Sequence, residues 1–264
     1  MALTPQQCTF FKTFGYLYLP DYLTEEIDWM TEEHRKIFEK KGIKHDGTKR
    51  SQIVPFIDQS EQLCTLLDHP KVLEVIGALL GEDFNYIGGD GNYYSGDTGW
   101  HSDGTHPVGC YAKFHLYLDS LTCDTGCIRV IPGSHLIGHW RDHAGQSHRS
   151  TETLGISGRD VPCTAVETEP GDVVVFNHNI YHASFGGGPA RRHFDLNVAS
   201  RARTAAEIRE LDNYLQRSDG QPRYHPRSSS VHSEVMRETA SAARMRHLEQ
   251  VIARERYLAE ARNR

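Results

Sequence analysis

No stretch of this chain stays apolar for the roughly 20 residues that a helix needs to cross a bilayer, so no membrane partner is expected. The first residues, Met1 to Gln7, offer neither a basic start nor an apolar segment. No secretory signal is read there, and a cytoplasmic protein is the expectation. A basic excess is lacking as well: the formal net charge is −6, which argues against a nucleic-acid binder. Cysteine is sparse, with six in 264 residues. Cys123 and Cys127 stand four apart, but no second Cys/His pair follows at zinc-site spacing, so free thiols are expected. Histidine is the residue present in unusual number, at 16. A small-molecule substrate is the partner this balance leaves.

The periodicity divides the chain into helix, strand and helix again, read as one domain over 1–264. Thr4-Pro5 is a helix start, and Gly15 breaks the pattern before the short strand Tyr16-Leu-Tyr-Leu19. A second helix is expected after Thr24, with Ile27, Met30 and His34 on one face, and a third from about Glu61 to Leu80. From about 83 to 200 the period becomes two. Tyr111 to Leu118 places Ala112, Phe114, Leu116 and Leu118 on one face, and Tyr111, Lys113, His115 and Tyr117 on the other. Ile128 to Ile131, Val173 to Phe176 and Phe194 to Val198 are further strands between Gly and Pro turns, which suggests a sandwich or barrel-like core. His135 to Arg159 lacks a period and reads as a long loop near the site. A helical extension spans about 203 to 264: an amphipathic segment from Thr204 to Leu215, a polar linker from Arg217 to Ser230, and one long charged helix from Val231 to Ala261. That last helix packs on the domain surface or makes a homodimer. No internal repeat is present.

Three segments carry chemistry together. In Trp100-His101-Ser102-Asp103-Gly104, a His and an Asp two apart on a strand point to the same side and can reach one metal. Gly171 to His182 runs a turn into an apolar strand and then offers two imidazoles, His178 and His182. Arg191 to Val198 is a strand opened by arginines. Two imidazoles and a carboxylate on one face of an octahedral Fe(II) leave three positions open. Neutral imidazole is populated near pH 7, and arginine gives a carboxylate a bidentate partner. His-x-Asp alone is weak, because His193-Phe194-Asp195 matches as well.

Three runs, Trp100-His-Ser-Asp-Gly104, Gly126 to His135 and His182-Ala-Ser184, resemble the phytanoyl-CoA dioxygenase family, with Gly171 to Phe176 and Phe14 to Pro20 in support. The likeness covers about residues 5 to 200. It implies a double-stranded β-helix (jelly-roll, cupin-like) flanked by N- and C-terminal helices. It also implies iron ligands His101, Asp103 and His182, with 2-oxoglutarate and O2 as co-substrates. His178 and His182 have the same strand parity; the family's histidine, small residue and serine match His182-Ala-Ser184. Ser184 resembles the family serine that bonds the 2-oxoglutarate carboxylate. For the arginine, Arg192 shares a face with Phe194, Leu196 and Val198. Taking that apolar face as the inner one makes Arg192 the anchor and His193/Asp195 a decoy.

Where many members carry a lysine, this chain reads Asn92-Tyr-Tyr94-Ser, a departure that speaks against an acyl-CoA or other anionic substrate. Tyr94 is a candidate contact or a packing tyrosine. Lys113, His115, Arg129 and Asn179 are candidates for a polar pocket. The expected activity is hydroxylation of a C–H bond in a small polar metabolite, with release of succinate and CO2. The alternatives are a cupin-like metal-dependent hydrolase or isomerase, which would have no use for the arginine, and a non-catalytic binding module.

Overall fold

In the computed structural model, which describes residues 3–220 and 230–262, the chain begins as its caps dictate. The Thr4 side chain accepts from Gln7 N and the Gln7 side chain answers at Thr4 N, starting the helix Pro5–Phe14; Gly15, at φ 83°, ends it. The chain then enters β1 (Tyr16–Leu19). The second helix, Ile27–Lys40, turns Met30, His34, Ile37 and Phe38 inward. The expected helix over 61–80 is broken in two. Pro70 cannot continue a helix begun at Glu61, so Glu61–Cys64 passes through a 3-10 turn and a new helix runs Pro70–Leu80.

Ten further strands follow: β2 (Ser51–Ile53), β3 (Asn85–Tyr86), β4 (Gly91–Tyr94), β5 (Thr98–His101), β6 (Tyr111–Tyr117), β7 (Ile128–Val130), β8 (Thr164–Val166), β9 (Val173–Asn177), β10 (His182–Ser184) and β11 (Arg191–Ala199). They form two antiparallel sheets. The larger runs β1-β9-β6-β11-β4-β2, with β3 also on β11, and the smaller runs β5-β10-β7-β8. From β4 onward the chain alternates between the sheets, except that β7 and β8 are neighbours in the smaller one.

The larger sheet is buried on both sides. Its outer face (Ala112, Phe114 and Leu116 of β6, Val173 and Val175 of β9, Phe194, Leu196 and Val198 of β11) packs in one cluster with Met30, Ile37, Phe38, Leu63, Val72 and Val75 of the helices. Burying such side chains supplies most of the driving force, at about 1.5–3 kcal/mol for each large one. Gly91 of β4 belongs to this interface: the ring of Phe56 lies where a Cβ would stand, and Phe56 meets Phe194 at 5.6 Å between centroids. Between the sheets, a second apolar cluster of Tyr117, Ile128, Val130, Val174 and Phe176 fills one part, and polar side chains line the rest.

Elsewhere the sequence reading needs correction. The segment from His135 to Arg159 is not a plain loop: it holds a helix at His139–Ala144, a 3-10 turn at Gly145–Arg149 and a turn of helix at Ser150–Thr153. The helix Ala205–Gly220 runs past Arg217, and residues 221–229 of the expected linker lie outside the described residues. The single helix expected from Val231 to Ala261 is three, because Ser233 and Ser241 each cap a new start: Glu234–Glu238, Ala242–Met245 and Glu249–Arg262. Val251 of the last helix is buried in a cluster with Leu211 and Leu215 of the same chain. No described helix is long and apolar enough to cross a membrane.

Candidate metal centre

Strand pairing assembles the centre. β10 lies antiparallel to β5 with His182 opposite His101, so the two imidazoles stand side by side, 4.2 Å between centroids. Asp103, two residues beyond His101, turns its Oδ1 to 3.7 Å from both Nε2 atoms. The three donor atoms lie within 4.8 Å of one another. Each ring is oriented from behind: His101 Nδ1 is 2.9 Å from Gly99 O, and His182 Nδ1 is 3.1 Å from Ile180 O. A carbonyl can only accept, so each Nδ1 carries the proton and each Nε2 offers its lone pair inward. Burial pushes His182 down to about 4, which keeps it a neutral ligand at pH 7. Burial alone would raise the Asp103 carboxyl, but the Lys113 ammonium outweighs it and holds it ionised. Two imidazoles and one carboxylate in this arrangement fit a divalent iron. His178, the other distal candidate, sits apart, with Nε2 3.0 Å from Asn197 Oδ1.

The arginine expectation is reversed. Arg192 points out of the barrel and is paired with Asp119: its Nη2 is 2.6 Å from Oδ1, and its backbone N donates to Oδ2 at 2.6 Å. Arg191 is the inward one, 7% exposed, in the same cavity as His101, Asp103 and His182. Its Nη1 donates to Gly126 O and Ser184 Oγ and its Nη2 to Gly96 O, with Tyr94 5.1 Å away as a cation–π partner. No carboxylate among the described residues pairs with it, Nε has no acceptor, and burial pulls its pKa down. A buried guanidinium without a counter-ion is costly unless a ligand anion supplies one. The parity argument was sound about alternation but took the apolar face as the inner one. That face is buried against the helices instead.

The same reversal brings His193 and Asp195 inside. With His115 they form a second buried group of metal-ligand type, with donor atoms within 4.8 Å. Both His115 nitrogens, His193 Nδ1 and Asp195 Oδ2 have no hydrogen-bond partner. Lys113 already supplies a cation there: its Nζ lies 3.3 Å from Asp195, 3.2 Å from Asp103 and 3.8 Å from Asp90. Burial by itself would depress this lysine; the three carboxylates override it and hold the ammonium well above the ordinary range. Lys113, His115 and Tyr94 line the cavity, and Ser184 stands beside Arg191.

Arg129 does not line it. Ile128 takes the inward position on β7, and Arg129 turns away to Cys123 O and Arg159 O. Asn179 is not among the lining residues either, and ties down the backbone of His106. One further residue organises the site. Arg141, buried in the segment read as a loop, donates to Ser134 O, Asn179 O, Ser102 Oγ, Gly104 O and Thr105 Oγ1, and so fixes the turn that carries Asp103.

The sequence pattern of the phytanoyl-CoA dioxygenase family matches residues 11–194. No curated protein matches the chain in sequence. Among solved structures it is similar to the non-heme α-ketoglutarate-dependent carbocyclase SnoK from nogalamycin biosynthesis, at 18% identity and TM-score 0.59, covering 87% of this chain and 95% of that one. EctD from S. alaskensis, crystallised with 2-oxoglutarate and 5-hydroxyectoine, gives 21%, 0.59, 76% and 77%. HygX from Streptomyces hygroscopicus, with nickel and 2-oxoglutarate bound, gives 15%, 0.63, 77% and 90%. At such identities the likeness is one of fold; the family match spans most of the sequence, and the chain belongs to the phytanoyl-CoA dioxygenase family of Fe(II)- and 2-oxoglutarate-dependent oxygenases.

Proposed function

We propose that this protein is a hydroxylase acting on a C–H bond of a small polar metabolite, with its two sheets forming a double-stranded β-helix around the site. His101, Asp103 and His182 hold Fe(II), and Arg191 with Ser184 holds the far carboxylate of 2-oxoglutarate. With 2-oxoglutarate and O2, the bound iron supplies the power to oxidise an unactivated C–H bond, while the keto acid leaves as succinate and CO2. The chain's own groups prepare this. The Gly99 and Ile180 carbonyls hold the two rings by Nδ1, with Nε2 of each towards the metal position. Lys113 steadies the Asp103 carboxylate, and Ile128 and Phe176 form apolar wall in the same cavity. Asp103 occupies the position that a halogenating site must leave to halide. Carbocyclisation and epimerisation use similar machinery in SnoK and SnoN, so the outcome depends on the substrate bound.

The observation that carries the reading is the buried, carboxylate-free Arg191 in one cavity with the His/Asp/His triad. A hydrolytic site built on the same three ligands would have no use for it. The test is an anaerobic titration of metal-stripped protein with Fe(II) and then 2-oxoglutarate, followed in the visible spectrum. A weak charge-transfer band is expected only with both present, and none in His101→Ala. Iron binding without that band would reject the oxygenase reading.

A further inference from the structure

The matched family pattern ends at residue 194, yet the chain beyond it reaches the metal centre. A cavity of about 310 Å³ adjoins the one that holds the triad. Asp103 and Lys113 border both, and Tyr214 and Val231 of the C-terminal extension form part of the larger cavity's wall. The extension is thus built into the surroundings of a metal ligand.

The link runs through Glu210 of the helix Ala205–Gly220. Its Oε1 lies 2.8 Å from His106 Nδ1, and both side chains are buried. A carboxylate accepts, so Nδ1 donates, and the bond fixes the rotation of the ring. Tyr111 sets the plane of the ring by stacking on it at 3.8 Å between centroids. Asn179 holds the His106 backbone at both N and O. The Nε2 edge is thereby brought against Gly104, where a Cβ would stand 2.4 Å from it.

Gly104 follows Asp103 directly, so the imidazole is a stop against the turn that carries the ligand. Arg141 grips the same turn through Ser102 Oγ and Gly104 O, and the His178 carbonyl accepts from Gly104 N. Hydrogen bonds resist stretching and packing resists compression, and this turn has both. A ligand set needs such support, because it works only when held to within about 0.5 Å.

We infer that Glu210 is a positioning residue for the metal centre: through His106 and Gly104 it sets the place of Asp103, so the C-terminal extension completes the site. The inference rests on His101, Asp103 and His182 being the ligands. A helix that only packed would depend as much on its other anchor, the pair Asp212–Arg254, with 2.8 Å from Oδ1 to Nε and 2.7 Å from Oδ2 to Nη2. Neither residue of that pair lines the cavity.

The test uses full-length, metal-stripped protein with 2-oxoglutarate and Co(II). The visible bands of the bound ion report its ligand geometry, and competition with a chelator gives its affinity. Glu210→Ala should weaken Co(II) binding about tenfold and shift the bands, as loss of an outer support does. Glu210→Gln keeps an acceptor for Nδ1 without the charge and should restore most of both. Asp212→Ala should lower the melting temperature and leave both readouts as in the wild type. Unchanged affinity and bands in folded Glu210→Ala would overturn the inference, as would an equal loss in Asp212→Ala. Equal loss in Glu210→Gln would make the effect one of charge and overturn positioning. Normal binding in Gly104→Ala, where a methyl group would force ring and turn apart, would overturn the contact on which it depends. Wild-type protein that binds no Co(II), or His101→Ala that binds it as well, would instead reject the ligand assignment.

Discussion

The two faces of β11 are both buried, and for opposite reasons. Phe194, Leu196 and Val198 are covered because water is expelled from them by the helices; Arg191, His193 and Asp195 are enclosed because the opposite sheet closes over a site. The first face is satisfied by packing alone. The second carries, among the described residues, a guanidinium without a carboxylate and ring nitrogens of His115 and His193 without partners, a demand that a bound ligand would meet. Burial thus does not identify the inner face of a barrel strand; unmet polar demand does.

That contrast can be broken most sharply at the paired arginines. Arg191→Leu should weaken 2-oxoglutarate binding on the order of 100- to 1000-fold, as loss of one partner of a buried ion pair does, read by calorimetry on Zn(II)-loaded protein. Equal loss in Arg192→Leu would mean that the faces have been assigned the wrong way round. Next comes Leu196→Ala on the outer face. It should cost about 2–5 kcal/mol in denaturant unfolding while the folded fraction binds 2-oxoglutarate normally; a change in affinity instead would put Leu196 in the site.

Acid sharpens the comparison from the outer side. His34 and His232 lie in the helical layer, and burial pushes each down to about 4. The unfolded chain takes up these protons near pH 6.5 and the folded one only near 4, so their stabilisation is present above 6.5 and is lost as pH falls towards 4. Up to about 3 kcal/mol each is involved. Melting should therefore fall between pH 7 and 5, and His34→Gln should flatten that slope. An unchanged slope would place the acid sensitivity elsewhere. The smallest effect is expected at the partly exposed pair Arg192–Asp119, where Arg192→Ala should shift stability by about 1 kcal/mol or less.

Much of this was legible beforehand. Period-two alternation marked β6 and β11, and the resemblance to the family, more than the spacing of His-x-Asp, brought out His101, Asp103 and His182 before any coordinates. Helix breaks at Pro70, Ser233 and Ser241 were also in the residues, but a reading by apolar period passes over single capping positions. The inward identity of Arg191 was not legible from its own strand. It needed the helices of the first 80 residues to be recognised as a layer that must cover an apolar sheet face. The role of Arg141 in fixing the turn was further out of reach, since its acceptors are backbone carbonyls and hydroxyls that no spacing rule collects.

The Phe56 ring pressed against Gly91 bears on how this enzyme could change. With no room for even a methyl group there, the wall that β4 and β11 build is braced from outside, and mutations that would widen the barrel on that side meet a second layer of packed rings. Laboratory selection for bulkier substrates should therefore accumulate its changes on the opposite side, in the smaller sheet, which that bracing does not reach.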